Sequence, residues 1–400
     1  MLKSKENNKI DGYLFTNYSK KKLRCLSQTY EELAQMYRDI PQEDNGSDSR
    51  KDRLYRKQLN DTKLTFANHL DEISDAFADV ADTVMHVSVP VEHKRRALIQ
   101  YLKKRGIVVR ELMFLEGGSV AGIGDSVQNR ISIEARLSGK YAMSVMELSG
   151  LLSEFFGRRL IPSLDGAKQL TRCYDTFLFE DEPRFVIISA ISRAVKENEK
   201  ISGDNFSVEE YNPNQVIMMV ADGMGSGEQA NKDSQSVIEF MEKFLEAGFQ
   251  KEKAFSMVNG AIASQSQCCN LTTLDLCAMN LLTGDAEFIK AGAAASYLKR
   301  GGKVEEIVSD TLPLGSIEEL CPMTQTIKLA DSDMLVMLSD GVSDAFENIS
   351  SKRLAEVIAA YHTVNPKELS DYLLQYAISC QGGHIVDDMT ILVCSVFKNL

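Results

Sequence analysis

The sequence predicts an α+β protein whose larger part is an antiparallel β-sandwich flanked by helices. From about Pro183 onward, short apolar or alternating segments are separated by tight turns such as Thr283-Gly284-Asp285 and Gly301-Gly302. Strands joined by such short turns pair antiparallel. Amphipathic segments also come in pairs, which predicts helical layers outside the sheets. These segments cover about 228–247, 252–263, 351–362 and 366–380.

The 400 residues are enough for several domains, and three regions differ in pattern. Residues 1–86 predict a helical, coiled-coil linker region. Residues 87–183 alternate between short strands and helices, which predicts a small α/β module with a regulatory role. Residues 184–400 hold the β-sandwich and, in our interpretation, the functional site.

A long helix is predicted from about Arg50 to Met85. Its apolar residues recur in steps of four and three, which is the spacing of a heptad seam. These residues are Phe66, Leu70, Ile73, Phe77, Val80 and Val84. Two interpretations remain open, a helix packed on its own domain and a dimerising coiled coil. The second would make the chain a homodimer.

Composition narrows the class of function. A net charge of −12 argues against nucleic acid as a partner, because a phosphate backbone requires a basic surface. The eight cysteines and five histidines are scattered without a Cys-x-x-Cys pair, which argues against zinc and suits a reducing compartment. No apolar run reaches the roughly 18 residues that a membrane span needs. We therefore expect a cytoplasmic location.

Acidic residues follow two buried strands of the predicted sandwich. The apolar run 216–220 ends at Asp222, before a glycine-rich turn and a helix. The run 334–338 ends in the same way, at Ser339 and Asp340. Two more acidic turns contain Asp204 and the pair Asp387-Asp388. A glycine beside an acid lets the backbone turn tightly and brings a carbonyl oxygen near a bound ion.

Carboxylates grouped in this way predict a divalent metal site. Mg²⁺ and Mn²⁺ prefer carboxylate, carbonyl and water oxygens. Without cations, several neighbouring acids would repel one another and raise their own pKa values. Two ions sharing a water lower its pKa toward neutrality, so that the hydroxide between them can attack phosphorus. The sequence therefore predicts two Mn²⁺ (or Mg²⁺) ions and phosphoester hydrolysis.

Two other interpretations were compared with this one. The run Gly223-Met224-Gly225-Ser226-Gly227 precedes a helix, but its glycine spacing differs from the fingerprint of dinucleotide-binding proteins. The second alternative is a non-catalytic signalling scaffold, which would keep the fold and recruit partners through its helical and regulatory regions.

The order of the motifs resembles the bacterial branch of the metal-dependent type 2C serine/threonine protein phosphatases. The resemblance covers about 184–400. It rests on Ser202-Gly203-Asp204, Ala221-Asp222-Gly223-Met224-Gly225, Leu312-Pro313-Leu314-Gly315, Ser339-Asp340-Gly341 and Asp387-Asp388-Met389-Thr390. It implies a phosphatase in which Asp222 bridges both ions, the Gly223 carbonyl binds one, and Asp204 serves the first. Asp340 and Asp387 would serve the second ion, with Asp388 adjacent.

The resemblance also implies a substrate and partners. The substrate would be a phosphoserine anti-anti-sigma factor, whose dephosphorylation activates a sporulation sigma factor. A cell-division protein of the tubulin type would be a further partner. Members are usually tethered by a membrane segment that this chain lacks. Eukaryotic relatives place a phosphate-binding arginine near their first metal acid, and residues 199–203 contain none.

Overall fold

A computed structural model of the chain shows two compact units. The described residues are 23–35, 38, 63–64, 67–78, 80–81, 86–88, 92–117, 128–139, 142–163, 167–212, 214–247, 249–263, 271–317, 319–347 and 352–399. The first unit lies within 1–119, 127–181 and 248–253, and the second within 120–126, 182–247 and 254–400. Each unit is described by itself.

In its described residues, the first unit combines four helices with an antiparallel sheet of order β1-β2-β3-β7-β5 and a two-stranded ribbon, β4-β6. The helices are α1 (23–35), α2 (67–78), α3 (Glu92–Lys103) and α4 (Val145–Phe156). The strands are β1 (His86–Ser88), β2 (Ile107–Gly117), β3 (Gln128–Leu137), β4 (Met143–Ser144), β5 (Leu160–Pro162), β6 (Gln169–Leu170) and β7 (Asp175–Asp181). One apolar core joins α3 and α4 to the sheet, with Leu102, Ile133 and Leu148 fully buried.

Helix α4 begins three residues later than the predicted start at Ala142. Met143 and Ser144 pair with β6 instead, and Ser144 caps the helix. The Glu147 amide donates to Ser144 Oγ at 3.1 Å, and the Ser144 amide donates to Glu147 Oε2 at 2.8 Å. This reciprocal capping box satisfies two amides that a helix terminus leaves unpaired.

Helix α2 covers part of the long helix predicted from Arg50 to Met85, and the rest of that prediction falls mostly outside the described residues. Leu70 of α2 packs against Ala34 of α1, and the rings of Phe77 and Tyr30 stack at 5.5 Å. Residues of the predicted heptad seam therefore pack within their own chain, which favours the first of the two interpretations. The coiled-coil dimer stays a prediction.

The second unit is a β-sandwich between helical layers. Its strands are β8 (Phe185–Ala194), β9 (Asp204–Asn212), β10 (Gln215–Gly223), β11 (Thr272–Asn280), β12 (Asp285–Ala291), β13 (Ser296–Arg300), β14 (Lys303–Ile307), β15 (Met323–Lys328), β16 (Met334–Leu338) and β17 (Met389–Lys398). Its helices are α5 (Gly227–Glu246), α6 (Lys251–Ala263), α7 (Asp340–Glu347), α8 (Lys352–Ala360) and α9 (Pro366–Cys380), of which the first three residues of α6 belong to the first unit.

Two antiparallel five-stranded sheets form the sandwich, in the orders β15-β12-β11-β10-β9 and β14-β13-β16-β17-β8. Three apolar layers hold it together. One lies between the sheets, one between the first sheet and helices α5 and α6, and one between the second sheet and helices α7 to α9. The predicted fold class, an antiparallel sandwich flanked by helices, is confirmed.

Strand β10 lies inside this arrangement, and its position explains why its sequence is apolar. Ile217 and Met219 face α5 and α6, whereas Val216, Met218 and Val220 face the other sheet. Because both faces are covered, the run is continuously apolar rather than alternating. In the described residues, no helix is long and apolar enough to cross a membrane.

An ion pair is buried in the first sheet of the sandwich. Asp275 of β11 stands opposite Lys290 of β12, and Lys290 Nζ lies 2.6 Å from Asp275 Oδ2. The Ser296 hydroxyl donates to the same carboxylate oxygen. Both charged side chains are almost completely shielded from solvent. Removing one partner would therefore leave an uncompensated buried charge.

We predict that Lys290→Met lowers the free energy of unfolding by about 3–5 kcal/mol, and that adding Asp275→Leu restores most of the loss. Urea denaturation followed by circular dichroism measures both changes. Lys328→Met is the control, because it breaks an exposed pair with Asp285 and should cost less than about 1 kcal/mol. Equal losses in the single and the double variant would contradict the prediction.

Candidate metal centre

The pairing of β9 with β10 places Asp204 directly opposite Asp222. The sequence predicts Asp222 at the end of a strand, in a turn, and Asp204 in a turn. The strand end at Asp222 is confirmed, whereas the turn is wrong for both residues. Asp204 is the first residue of β9, a strand that was not predicted, and Asp222 lies within β10. The strand continues to Gly223 because residues on both sides still pair with it, with Thr273 of β11 opposite Asp222. Register therefore brings these two carboxylates together.

Asp340 and Asp387 lie beside the second sheet. Asp340 is the first residue of α7, which follows β16 after Ser339, rather than part of a turn. A carboxylate at a helix N-terminus is stabilised by the helix dipole. Asp387 lies shortly before β17, which pairs with β16. The Ser339 amide donates to the Thr390 carbonyl at 3.0 Å, and the Thr390 amide donates to Ser339 Oγ at 2.9 Å.

These acids line one pocket at the edge of the sandwich. The pocket-lining residues from the predicted set are Asp204, Asp222, Gly223, Asp340, Asp387 and Asp388. The structure thus brings together every residue that the sequence predicts for the site. Their roles as ligands stay predictions.

The pocket is electrostatically unfavourable without a cation. Burial raises the pKa of Asp204, and neither of its carboxylate oxygens has a hydrogen-bond partner of good geometry among the described residues. Burial also raises the pKa of Asp222, and the negative charges of Asp204 and Asp340 raise it further. Mutual repulsion of this kind favours a shared proton or a bound cation.

The donors fit a divalent metal ion. Carboxylate oxygens and a backbone carbonyl form the ligand set that Mg²⁺ and Mn²⁺ prefer, and the Asp204 oxygens are unpaired and buried. Within the described ranges, no three His, Cys, Asp or Glu side chains are already gathered closely enough to hold an ion by themselves. The fit therefore lies in the chemistry of the donors rather than in a closed coordination sphere.

Two glycines let the backbone approach the pocket closely. A Cβ atom on Gly223 would lie 2.2 Å from the carbonyl oxygen of Ala230 in α5. One on Gly341 would lie 2.1 Å from the carbonyl oxygen of Asp388. Any side chain at either position would push its neighbouring element away and displace the adjacent aspartate.

Asp387 and Asp388 have different surroundings. Asp388 is 4% exposed, and its carboxylate accepts hydrogen bonds from the amides of Lys196 (3.0 Å) and Gly203 (2.7 Å). The side chain of Asp387 is 45% exposed. Asp388 therefore fixes the loop before Asp204, which leaves Asp387 as the better candidate for a ligand.

Lys196 is a component of the site that the sequence analysis missed. Its Nζ lies 3.3 Å from Asp387 Oδ1, and its amide is held by Asp388. Lys196 precedes residues 199–203, the segment before Asp204 that contains no arginine. The sequence contains 45 lysines and arginines, and no local motif distinguishes Lys196 from the others. Only the loop geometry reveals it.

Comparisons with known proteins match the part of the chain that contains most of this site. Residues 212–397 match the family model described as stage II sporulation protein E, or SpoIIE. The matched segment is a little under half of the chain. The match contains Asp222, Gly223, Asp340 and Asp387, and Asp204 lies shortly before it.

The chain is also similar to two curated SpoIIE proteins. It is 23% identical over 350 residues to that of Priestia megaterium and 24% identical over 348 residues to that of Bacillus subtilis (strain 168). Each alignment covers 86% of this chain. The chain spans 58% and 41% of the length of these relatives, respectively.

A solved structure shares the fold of the chain. It contains the PP2C phosphatase domain and a fragment of the regulatory domain of SpoIIE from Bacillus subtilis, with a TM-score of 0.62 and 23% identity. The match covers 85% of this chain and 98% of that one. The chain therefore shares the fold of that PP2C phosphatase structure.

We predict that Asp388→Asn destabilises the protein more than Asp387→Asn does. An amide at 388 would turn an N–H donor toward one of two backbone donors, so we expect a loss of about 1.5–3 kcal/mol. Asp387 makes one partly exposed ion pair, and it accepts a hydrogen bond from the Asp388 amide at 3.0 Å that an asparagine oxygen can also accept. The change should therefore cost less than about 1 kcal/mol. Urea denaturation without metal measures both. Similar losses in the two variants would contradict the different roles that we assign.

Proposed function

We propose that the chain is a manganese- or magnesium-dependent serine/threonine phosphoprotein phosphatase. The observation that carries the proposal is the pocket in which aspartates from in and beside both sheets converge. Both Asp204 carboxylate oxygens are buried there without a hydrogen-bond partner of good geometry among the described residues. The match of residues 212–397 to the SpoIIE family model supports the proposal. The chemistry needs no nucleophilic side chain.

Asp204, Asp222, Asp340 and Asp387, with the Gly223 carbonyl, would hold two ions. When bound, these ions would supply a water of lowered pKa and positive charge opposite the phosphoryl oxygens. Asp222 would serve both ions, because it faces Asp204 across the strand pair and its pKa responds to Asp204 and Asp340 alike.

Neighbouring residues keep these ligands in position. Arg193 Nη2 donates to the Asp204 carbonyl at 2.6 Å, and the Asp222 amide donates to Thr273 Oγ1 at 3.3 Å. Lys196 would take the place of the missing arginine and orient the substrate phosphate, because its ammonium group lies at the edge of the acidic pocket.

The substrate and partners are proposed more specifically from the family resemblance. We infer a phosphoserine anti-anti-sigma factor as substrate, whose dephosphorylation would activate a sporulation sigma factor in the cytoplasm. A tubulin-like cell-division protein and a second copy of the chain are further proposed partners.

Phosphate release from a phosphoserine peptide tests the proposal directly. We expect release to require Mn²⁺ or Mg²⁺, to stop on addition of EDTA, and to fall on the order of 10³-fold in Asp222→Asn. The reason is that the variant loses the carboxylate that would serve both ions. Asp285→Asn is the matched control, because Asp285 carries the same group on the same sheet and pairs with Lys328 outside the pocket.

Isothermal titration calorimetry with Mn²⁺ distinguishes the alternatives. Activity that survives EDTA or Asp222→Asn would exclude the two-metal mechanism. A folded chain that binds no Mn²⁺ and releases no phosphate would instead favour the non-catalytic scaffold.

Lys196→Gln should raise KM for the phosphoserine peptide by about 10- to 100-fold, which is the loss of one charge-assisted hydrogen bond. Lys196→Arg should retain most of the affinity, because the positive charge remains. Lys200→Gln, an exposed change in the same loop, is the control. An unchanged KM in Lys196→Gln would remove Lys196 from substrate binding.

A further inference from the structure

One side of the acidic pocket is apolar. Met224, Leu271 and Pro313 line it, and Leu312 is next to Pro313 in the chain. We call these four residues the apolar rim. Met224 is 62% exposed and Leu312 is 52% exposed, although both are large apolar side chains. A well-positioned apolar surface beside a polar site is typical of ligand recognition.

Backbone contacts hold the apolar rim in place. The Met224 amide donates to the Leu271 carbonyl at 2.9 Å. The next residue, Thr272, exchanges hydrogen bonds with Leu314 at 3.3 and 2.9 Å, which joins the two segments of the rim.

The loop that carries Leu312 and Pro313 is anchored twice more. The buried Asn259 of α6 accepts from the Gly315 amide and donates to the Ile317 carbonyl, both at 2.9 Å. Pro313 packs so closely on Gly292 that a Cβ atom there would lie 2.7 Å from the proline ring. The exposure of Leu312 is therefore a property of a fixed loop.

Resting on the proposed phosphatase function, we propose that the apolar rim binds apolar side chains that flank the phosphoserine of the protein substrate. The rim is continuous with the pocket that would take the phosphate. A substrate segment whose phosphoserine lies in the pocket would therefore pass over the rim. Neighbouring residues of an extended segment are about 3.3–3.6 Å apart, so those within two positions of the phosphoserine reach the rim.

The negative charge of the pocket also favours apolar residues next to the phosphoserine. The phosphate enters a pocket of aspartates, and Lys196 lies beside Asp387. Acidic residues next to the phosphoserine would be repelled by these aspartates, whereas apolar residues would gain contact with Met224 and Leu312. The rim therefore selects by sequence around the phosphoserine, while the carboxylates and Lys196 would act on the phosphate itself.

Two phosphoserine peptides test this inference. One carries Leu and the other the similarly shaped Asn at the two positions before and after the phosphoserine. We expect kcat/KM with Mn²⁺ to favour the Leu peptide by about 10-fold or more. Met224→Gln and Leu312→Gln should each reduce that ratio to below about 3-fold, whereas Met224→Leu should preserve it.

The ratio cancels any general loss of activity in a variant. Ile188→Gln is the matched control, because Ile188 is an exposed apolar residue on β8, outside the pocket, and its change should leave the ratio as it is. Fluorescence anisotropy with labelled peptides that carry a non-hydrolysable phosphonate gives the same ratio from binding alone.

The outcomes separate the inference from the proposed function. Equal hydrolysis of both peptides, or a preference that persists in Met224→Gln and Leu312→Gln, would overturn the inference and leave the phosphatase proposal intact. Absence of hydrolysis, together with preferential binding of the Leu phosphonate that Met224→Gln removes, would overturn the phosphatase proposal and support the rim as a binding surface.

Discussion

Two carboxylates face each other across one pair of strands, and the rest of the second unit is built to keep them there. Asp204 and Asp222 are opposite residues of β9 and β10, and burial raises the pKa of both. Like charges this close oppose folding of the metal-free chain. The opposition is overcome because β10 is buried on both faces and pairs along its whole length with β11.

Paired strands also lie next to the acids beside the second sheet. Asp340 begins the helix that follows β16, and Asp387 lies shortly before β17, so both acids are close to paired strands. Sites built on regular elements are held more firmly than sites on loops. Gly223 and Gly341 complete the arrangement, since each lets a neighbouring backbone approach at a distance that no side chain would allow.

The sequence could predict what depends on local pattern. Apolar runs predict strands 216–220 and 334–338, with the acids beside them, and caps and turns predict helix Pro366–Cys380. Strand β9 could not be predicted, because Glu209 and Glu210 are exposed and charged and the segment has no apolar run. Register is a non-local property, and it explains why Asp204 meets Asp222. Lys196 and Asp387 lie in loops outside the paired strands, and their contact is equally non-local.

Asp388 has a structural role that Asp387 lacks. One carboxylate oxygen holds the amide of Lys196 and the other holds the amide of Gly203, beside Asp204. The residue that would orient the phosphate and the residue that would bind the first ion are thus fixed by one buried group. A shift of the 196–203 loop would therefore change both at once. In the proposed phosphatase, this arrangement would couple substrate binding to metal binding through the backbone.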